Sequence, residues 1–218
     1  CELTGAASPE SVVSLPAHDV LPFENLSPHP EIQEERATAL WKIATGAAAI
    51  VVAPVAATVM RLSHAQYDAG LARVVRRAET IEVDVLLEHL QRVGYAPADV
   101  VEMPGQYALR GGILDVYSPE AERPIRIEFF GDEVESLRKF DPASQRSSNP
   151  ADEAVLLPLT ETPASEEILT AIHSRLSAGR VAGSEHVVEQ AVAAGGVSVF
   201  PGWELLAPIA SAADGGSL

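Results

Sequence analysis

With 218 residues, 47% of them apolar, the chain can fill one large or two modest hydrophobic cores. A formal charge of −16 argues against a wide phosphate-gripping surface, because nucleic-acid affinity comes mainly from clustered Lys and Arg. No run reaches the roughly 18 to 20 unbroken apolar residues of a membrane span, and a single cysteine cannot close an internal disulfide, which fits a reducing cytoplasm. The chain opens on Cys1 with no signal-peptide pattern and is taken as a fragment. Charge is uneven: residues 71–150 hold 10 basic and 14 acidic side chains, and the remaining 138 residues hold 5 and 17. Such asymmetry suggests a middle domain with its own partner.

Taken in order, Val12 to Leu15 predicts a buried strand ended by Pro16. Pro28 and Pro30, followed by Glu31, Glu34 and Glu35, mark a helix start, and Ile32, Ala39, Leu40 and Ile43 recur at helical spacing until Gly46. Ala49 to Ala53 is the kind of apolar strand buried on both faces of a parallel sheet, with a short helix over Val55–Leu62 after it. Strand and helix alternating in this way is the pattern of an α/β domain. The character changes after His64. Strand-like runs around Val74 and Ile81 lead into a helix lined by Leu86, Leu87, Leu90 and Val93 and closed by Gly94.

Gly105 to Phe140 predicts at least four short strands. Ile125, Ile127 and Phe129 alternate with Arg126, Glu128 and Phe130, giving one apolar and one mixed face. Gly131-Asp132 supplies the glycine-first loop of a type II′ hairpin spanning about Pro124 to Phe140. A bare phenylalanine in line with a base and an acid suits recognition of another protein. Pro142 to Pro150 is expected to be a polar connector, followed by a strand at Ala154–Leu157, helices at Glu166–Leu176 and Glu185–Ala194, and the run Val197-Ser198-Val199 before Phe200-Pro201-Gly202-Trp203. The predicted fold class is α/β: a parallel sheet flanked by helices (residues 1–70 and 151–218), interrupted by a smaller α+β domain with an antiparallel sheet (71–150).

No chemistry announces itself. Lys42 and Lys139 lack the flanking residues of a phosphate loop, and the glycine pairs at 111–112, 195–196 and 215–216 fit turns or tight packing. The 6 histidines form no HExxH, no GxSxG elbow exists, and Cys1 is the lone thiol. Catalytic, cofactor and metal residues are therefore predicted as none.

The block from Met103 to Tyr117, MPGQYALRGGILDVY, then Pro124 to Arg138, PIRIEFFGDEVESLR, then Phe140-Asp141-Pro142 through Gln145-Arg146-Ser147, resembles the UvrB-homology region of bacterial nucleotide-excision repair proteins. Within that group it most resembles the N-terminal module of the transcription-repair coupling factor family, Mfd. Between Val13 and Pro30 there is no room for the tyrosine-rich, strand-separating hairpin of UvrB, and Phe200-Pro201-Gly202-Trp203-Glu204 is similar to a segment near the end of the Mfd module.

The resemblance implies an α/β domain 1a interrupted by a UvrA-binding domain 2. By motif, the family's UvrA contacts fall on Arg110 of the YxxRG segment and on Arg126 and Phe130 of the PxRxEFF strand. It further implies masking of this surface by a C-terminal domain of the longer protein. It also implies a downstream motor that uses ATP and Mg to translocate on double-stranded DNA and displace RNA polymerase, with no cofactor and no catalysis in this fragment. Three other readings are open: a piece of a UvrB-type helicase whose nucleotide-binding loop lies upstream; direct DNA binding, which the acidity predicts to be negative; and a purely structural role in which Arg110 and Arg126 pair with Glu128 or Asp115 and Phe130 is core. For the leading reading, Arg126→Ala or Phe130→Ala is expected to abolish UvrA pull-down while leaving the thermal melt nearly unchanged.

Overall fold

A computed structural model describes residues 11–22, 24–60, 62, 65–178 and 199–208. The expected helix at 185–194 lies outside these, as do Phe23, His186, Val197 and Ser198. Parallel and antiparallel sheets flanked by helices make a mixed α/β chain, as expected.

β1 (Val12–Ser14) pairs in parallel with β2 (Ile50–Val52). Between them runs α1 (Pro30–Ala44), which has proline at its first position and ends as Gly46 turns to φ 74°. Val13, Leu15, Ala39, Leu40 and Ala57 form a small core here. The expected burial of β2 on both faces does not hold: Ile50, Val51 and Val52 are all exposed. Among the described residues this sheet has two strands, so its apolar outer positions have nothing packed over them. The helix expected over 55–62 closes after four residues, as α2 (Val55–Thr58), and α3 (Ala65–Gly70) follows.

The larger unit begins at β3 (Arg73–Arg76). α4 (Val83–Arg92) is amphipathic as its leucine spacing predicts, burying Leu86 and Leu90 one turn apart, and Gly94 ends it at φ 101°. There follow β4 (Ala96–Pro97), β5 (Gln106–Arg110), β6 (Ile113–Val116), β7 (Ile125–Phe130), β8 (Glu133–Phe140) and β9 (Ser147–Ala151). They form a six-stranded sheet in that order, antiparallel except for β4 with β5. The expected connector at 142–150 is thus half strand. Its polar residues join the sheet edge by backbone pairing, the Ser148 hydroxyl also donating to the Lys139 carbonyl at 3.0 Å, and an edge tolerates Pro150.

One face of the sheet carries Leu114, Val116, Ile125, Ile127, Phe129 and Leu137 into a core shared with Leu86 and Leu90 of α4. β10 (Glu153–Leu156) returns antiparallel to β3, and Leu156 enters the same core. The strand that opens the third expected segment therefore packs with the middle one. α5 (Glu166–Ser177), capped by the Ser165 hydroxyl, buries Leu169, Ile172 and Leu176 against Phe200 and against Trp203 and Leu206 of a closing 3-10 turn (Trp203–Leu206).

Arg36, only 1% exposed, leaves α1 to bond the Glu161 carboxylate (2.5 and 3.0 Å) and the Pro16 carbonyl (2.6 Å). Lys42 reaches Glu120 beyond β6 at 2.6 Å. These pairs fasten α1 to the larger unit.

Candidate protein-docking face

The mixed face of β7 is built by register. Ala108, Asp115, Arg126 and Arg138 lie side by side across β5 to β8; the next row is Arg110, Ile113, Glu128 and Ser136; Phe130 and Glu133 end the hairpin. Two glycine-first loops shape this end. Gly111 and Gly131 take φ 60° and 62° while the residue after each keeps negative φ, the requirement of a type II′ turn, so both tight loops follow from the glycines. Gly112 also has a packing role: a Cβ there would sit 2.9 Å from the Phe129 carbonyl oxygen. Opposite Glu128 and Phe129, β8 carries one extra residue, Glu135, a bulge that sharpens the local twist next to Phe130.

At the centre Asp115 is fully buried and accepts three charge-assisted hydrogen bonds. Arg126 donates two, Nε to Oδ1 at 2.7 Å and Nη2 to Oδ2 at 2.8 Å, and Arg110 Nη2 donates one to Oδ2 at 2.7 Å. The bonds to Asp115 hold the Arg126 guanidinium still more firmly protonated, against the opposing effect of burial. That guanidinium also stacks 4.7 Å above the buried Phe140 ring. Phe140 packs with Val101 and Ala108 in a second, small core, so half of the mixed face is covered and only its far end is open.

The three residues singled out from sequence therefore stand in different environments. Arg126 is 16% exposed, Arg110 is 49% exposed, and Phe130 is 78% exposed. Both arginines meet at Asp115, and Phe130 lies apart from that cluster, at the hairpin tip. The expectation that Arg126→Ala leaves the melt unchanged is corrected by this geometry, since removing Arg126 strips a fully buried carboxylate of two of its three bonds. The sequence left Asp115 or Glu128 as the partner of the two arginines and did not single out Ile113; the register makes Asp115 the partner of both and sets Ile113 opposite Arg110. Among the described residues there is no group of three or more His, Cys, Asp or Glu placed to hold a metal, and no helix long and apolar enough to cross a membrane.

The part of the chain that holds the sheet, α4 and the arginine-aromatic strip, residues 74–161, matches the model of the UvrB interaction domain family. The chain is similar in sequence to several transcription-repair-coupling factors. It is 34% identical over 175 residues to that of Bacillus subtilis (strain 168), covering 77% of this chain and 15% of that protein. To those of Escherichia coli (strain K12) and Myxococcus xanthus it is 31% and 36% identical over 166 and 157 residues, or 76% and 72% of this chain and 14% and 13% of theirs. The chain spans about one-seventh of the length of these relatives.

Proposed function

We propose that this chain is the UvrA-docking module of a transcription-coupled repair factor, which brings the excision machinery to RNA polymerase stalled at lesions and performs no catalysis itself. The observation that carries this reading is Phe130, a large ring 78% exposed at the tip of the β7–β8 hairpin, in line with Arg126 and next to the row of Arg110 and Ile113. An exposed aromatic flanked by arginine is the usual composition of an interface anchor, and truncating such an anchor costs about 2 kcal/mol or more of binding. The UvrB interaction domain and the coupling-factor relatives support the same partner.

By this reading residues 71–150 hold the dock, inserted into an α/β layer of 1–70 and 151–218 that lends it β10. The ATP- and magnesium-dependent translocation on double-stranded DNA, the contact with RNA polymerase and a masking C-terminal domain belong to other parts of a longer cytoplasmic protein. Binding to immobilised UvrA tests the reading: Phe130→Ala and Arg110→Ala are each expected to weaken it at least tenfold while remaining folded, and unchanged binding by both would overturn it.

A further inference from the structure

We propose that Asp115 is the positioning residue of the docking face. Its buried carboxylate makes Arg126 a fixed frame and Arg110 the presented arm, and the free guanidinium edge of Arg110 takes a carboxylate of the partner. The inference rests on the docking reading above and divides its labour.

The two arginines use Asp115 unequally. Arg126 commits Nε and Nη2 to the carboxylate, and its Nη1 faces the Gln145 carbonyl and the Ser147 hydroxyl, each at 3.4 Å. Its flat face lies on Phe140. Four of its five N–H groups are therefore directed to partners within the chain, and little of the side chain reaches the surface. Arg110 gives Asp115 only Nη2, and half of its side chain is exposed. Its Nε, its Nη1 and the second hydrogen of Nη2 have no hydrogen-bond partner among the described residues, so Nη2 and one of its neighbours still form an open two-donor edge for an incoming acceptor.

Charge leads to the same assignment. Two guanidinium groups and one carboxylate leave a single net positive charge in the cluster, and only Arg110 carries it outward. Such a site fits one carboxylate. Asp115 holds the far end of the Arg110 fork at 2.7 Å, which lowers the entropy lost when a flexible side chain is immobilised on binding. Ile113, directly opposite Arg110 in the register and 37% exposed, supplies an apolar neighbour between that edge and Phe130. The partner surface that complements this strip is an acidic side chain beside an apolar pocket.

A double-mutant cycle read by UvrA affinity tests the assignment. Asp115→Asn is expected to weaken binding tenfold or more when Arg110 is present and less than twofold in the Arg110→Ala background. An equal loss in both backgrounds would mean that Asp115 acts only through the fold, and would overturn the inference while leaving the dock intact. Wild-type affinity for both Arg110→Ala and Phe130→Ala would overturn the docking reading and the inference with it.

A second measurement on the unaltered protein covers the case in which Asp115→Asn does not fold. Phenylglyoxal labelling followed by mass spectrometry should modify Arg110 in the free protein, lose that label when UvrA is added, and leave Arg126 unmodified throughout. Labelling of Arg126 that UvrA suppresses would reverse the roles and sink the proposal.

Discussion

Asp115 on β6 and Arg126 on β7 face each other across an antiparallel pair, joined by hydrogen bonds of 2.7 and 2.8 Å, and the carboxylate of that pair is entirely shielded from solvent. A buried charge costs little only while its partners are in place. The pair therefore does structural work as well as shaping a surface.

Arg126→Ala should consequently lower folding stability by about 2 to 4 kcal/mol, because Arg110 alone is left to satisfy Asp115. Arg110→Ala should cost less than about 1 kcal/mol, since its pair is half exposed and Asp115 keeps two bonds from Arg126. Urea unfolding of the two variants separates these values. Equal stabilities would contradict the division between frame and arm.

Phe130→Ala should behave in the opposite way. The ring is mainly in solvent, so unfolding should shift by no more than about 0.5 kcal/mol. UvrA affinity should fall at least tenfold, equivalent to about 1.4 kcal/mol. Calorimetry of both quantities on one preparation checks the contrast.

Gly112→Ala probes the turn between β5 and β6. The added Cβ meets the Phe129 backbone oxygen at 2.9 Å, and backbone cannot rotate aside as a flexible side chain does. A loss of about 1 to 3 kcal/mol is expected from this overpacking. The displacement falls on the residue before Phe130, so UvrA binding should weaken as well. A fully stable Gly112→Ala protein with native affinity would show that the close approach is dispensable.

Acid should loosen the junction between α1 and the larger unit. Burial pushes the Glu161 carboxyl up, but hydrogen bonds from His18 and Arg36 outweigh it and leave the folded pKa below the ordinary 4.5. A depressed carboxylate contributes stability above its unfolded pKa and loses that contribution as pH falls through the folded value. Stability at pH 7 should therefore exceed that below pH about 4.5 by more in the wild type than in Glu161→Gln. Denaturant midpoints measured across that range give the comparison, and parallel pH profiles would exclude the linkage.

Sequence by itself determined the parts whose signal is local. Alternation through β7 separated Ile125, Ile127 and Phe129 from Arg126, Glu128 and Phe130, Gly131 placed the turn between β7 and β8, and leucine spacing drew α4. Tertiary structure alone decided that Arg110 and Arg126, sixteen positions apart, meet at Asp115, and that Phe140 on the same face is buried while Phe130 is bare. It also turned the polar run at 147–151 into an edge strand and left the apolar run at 50–52 uncovered. The physical reason is common to all four. Side-chain periodicity reports which way a residue points from its own backbone, whereas strand register and the packing of one element over another set what it points at, and both are fixed by contacts between distant segments.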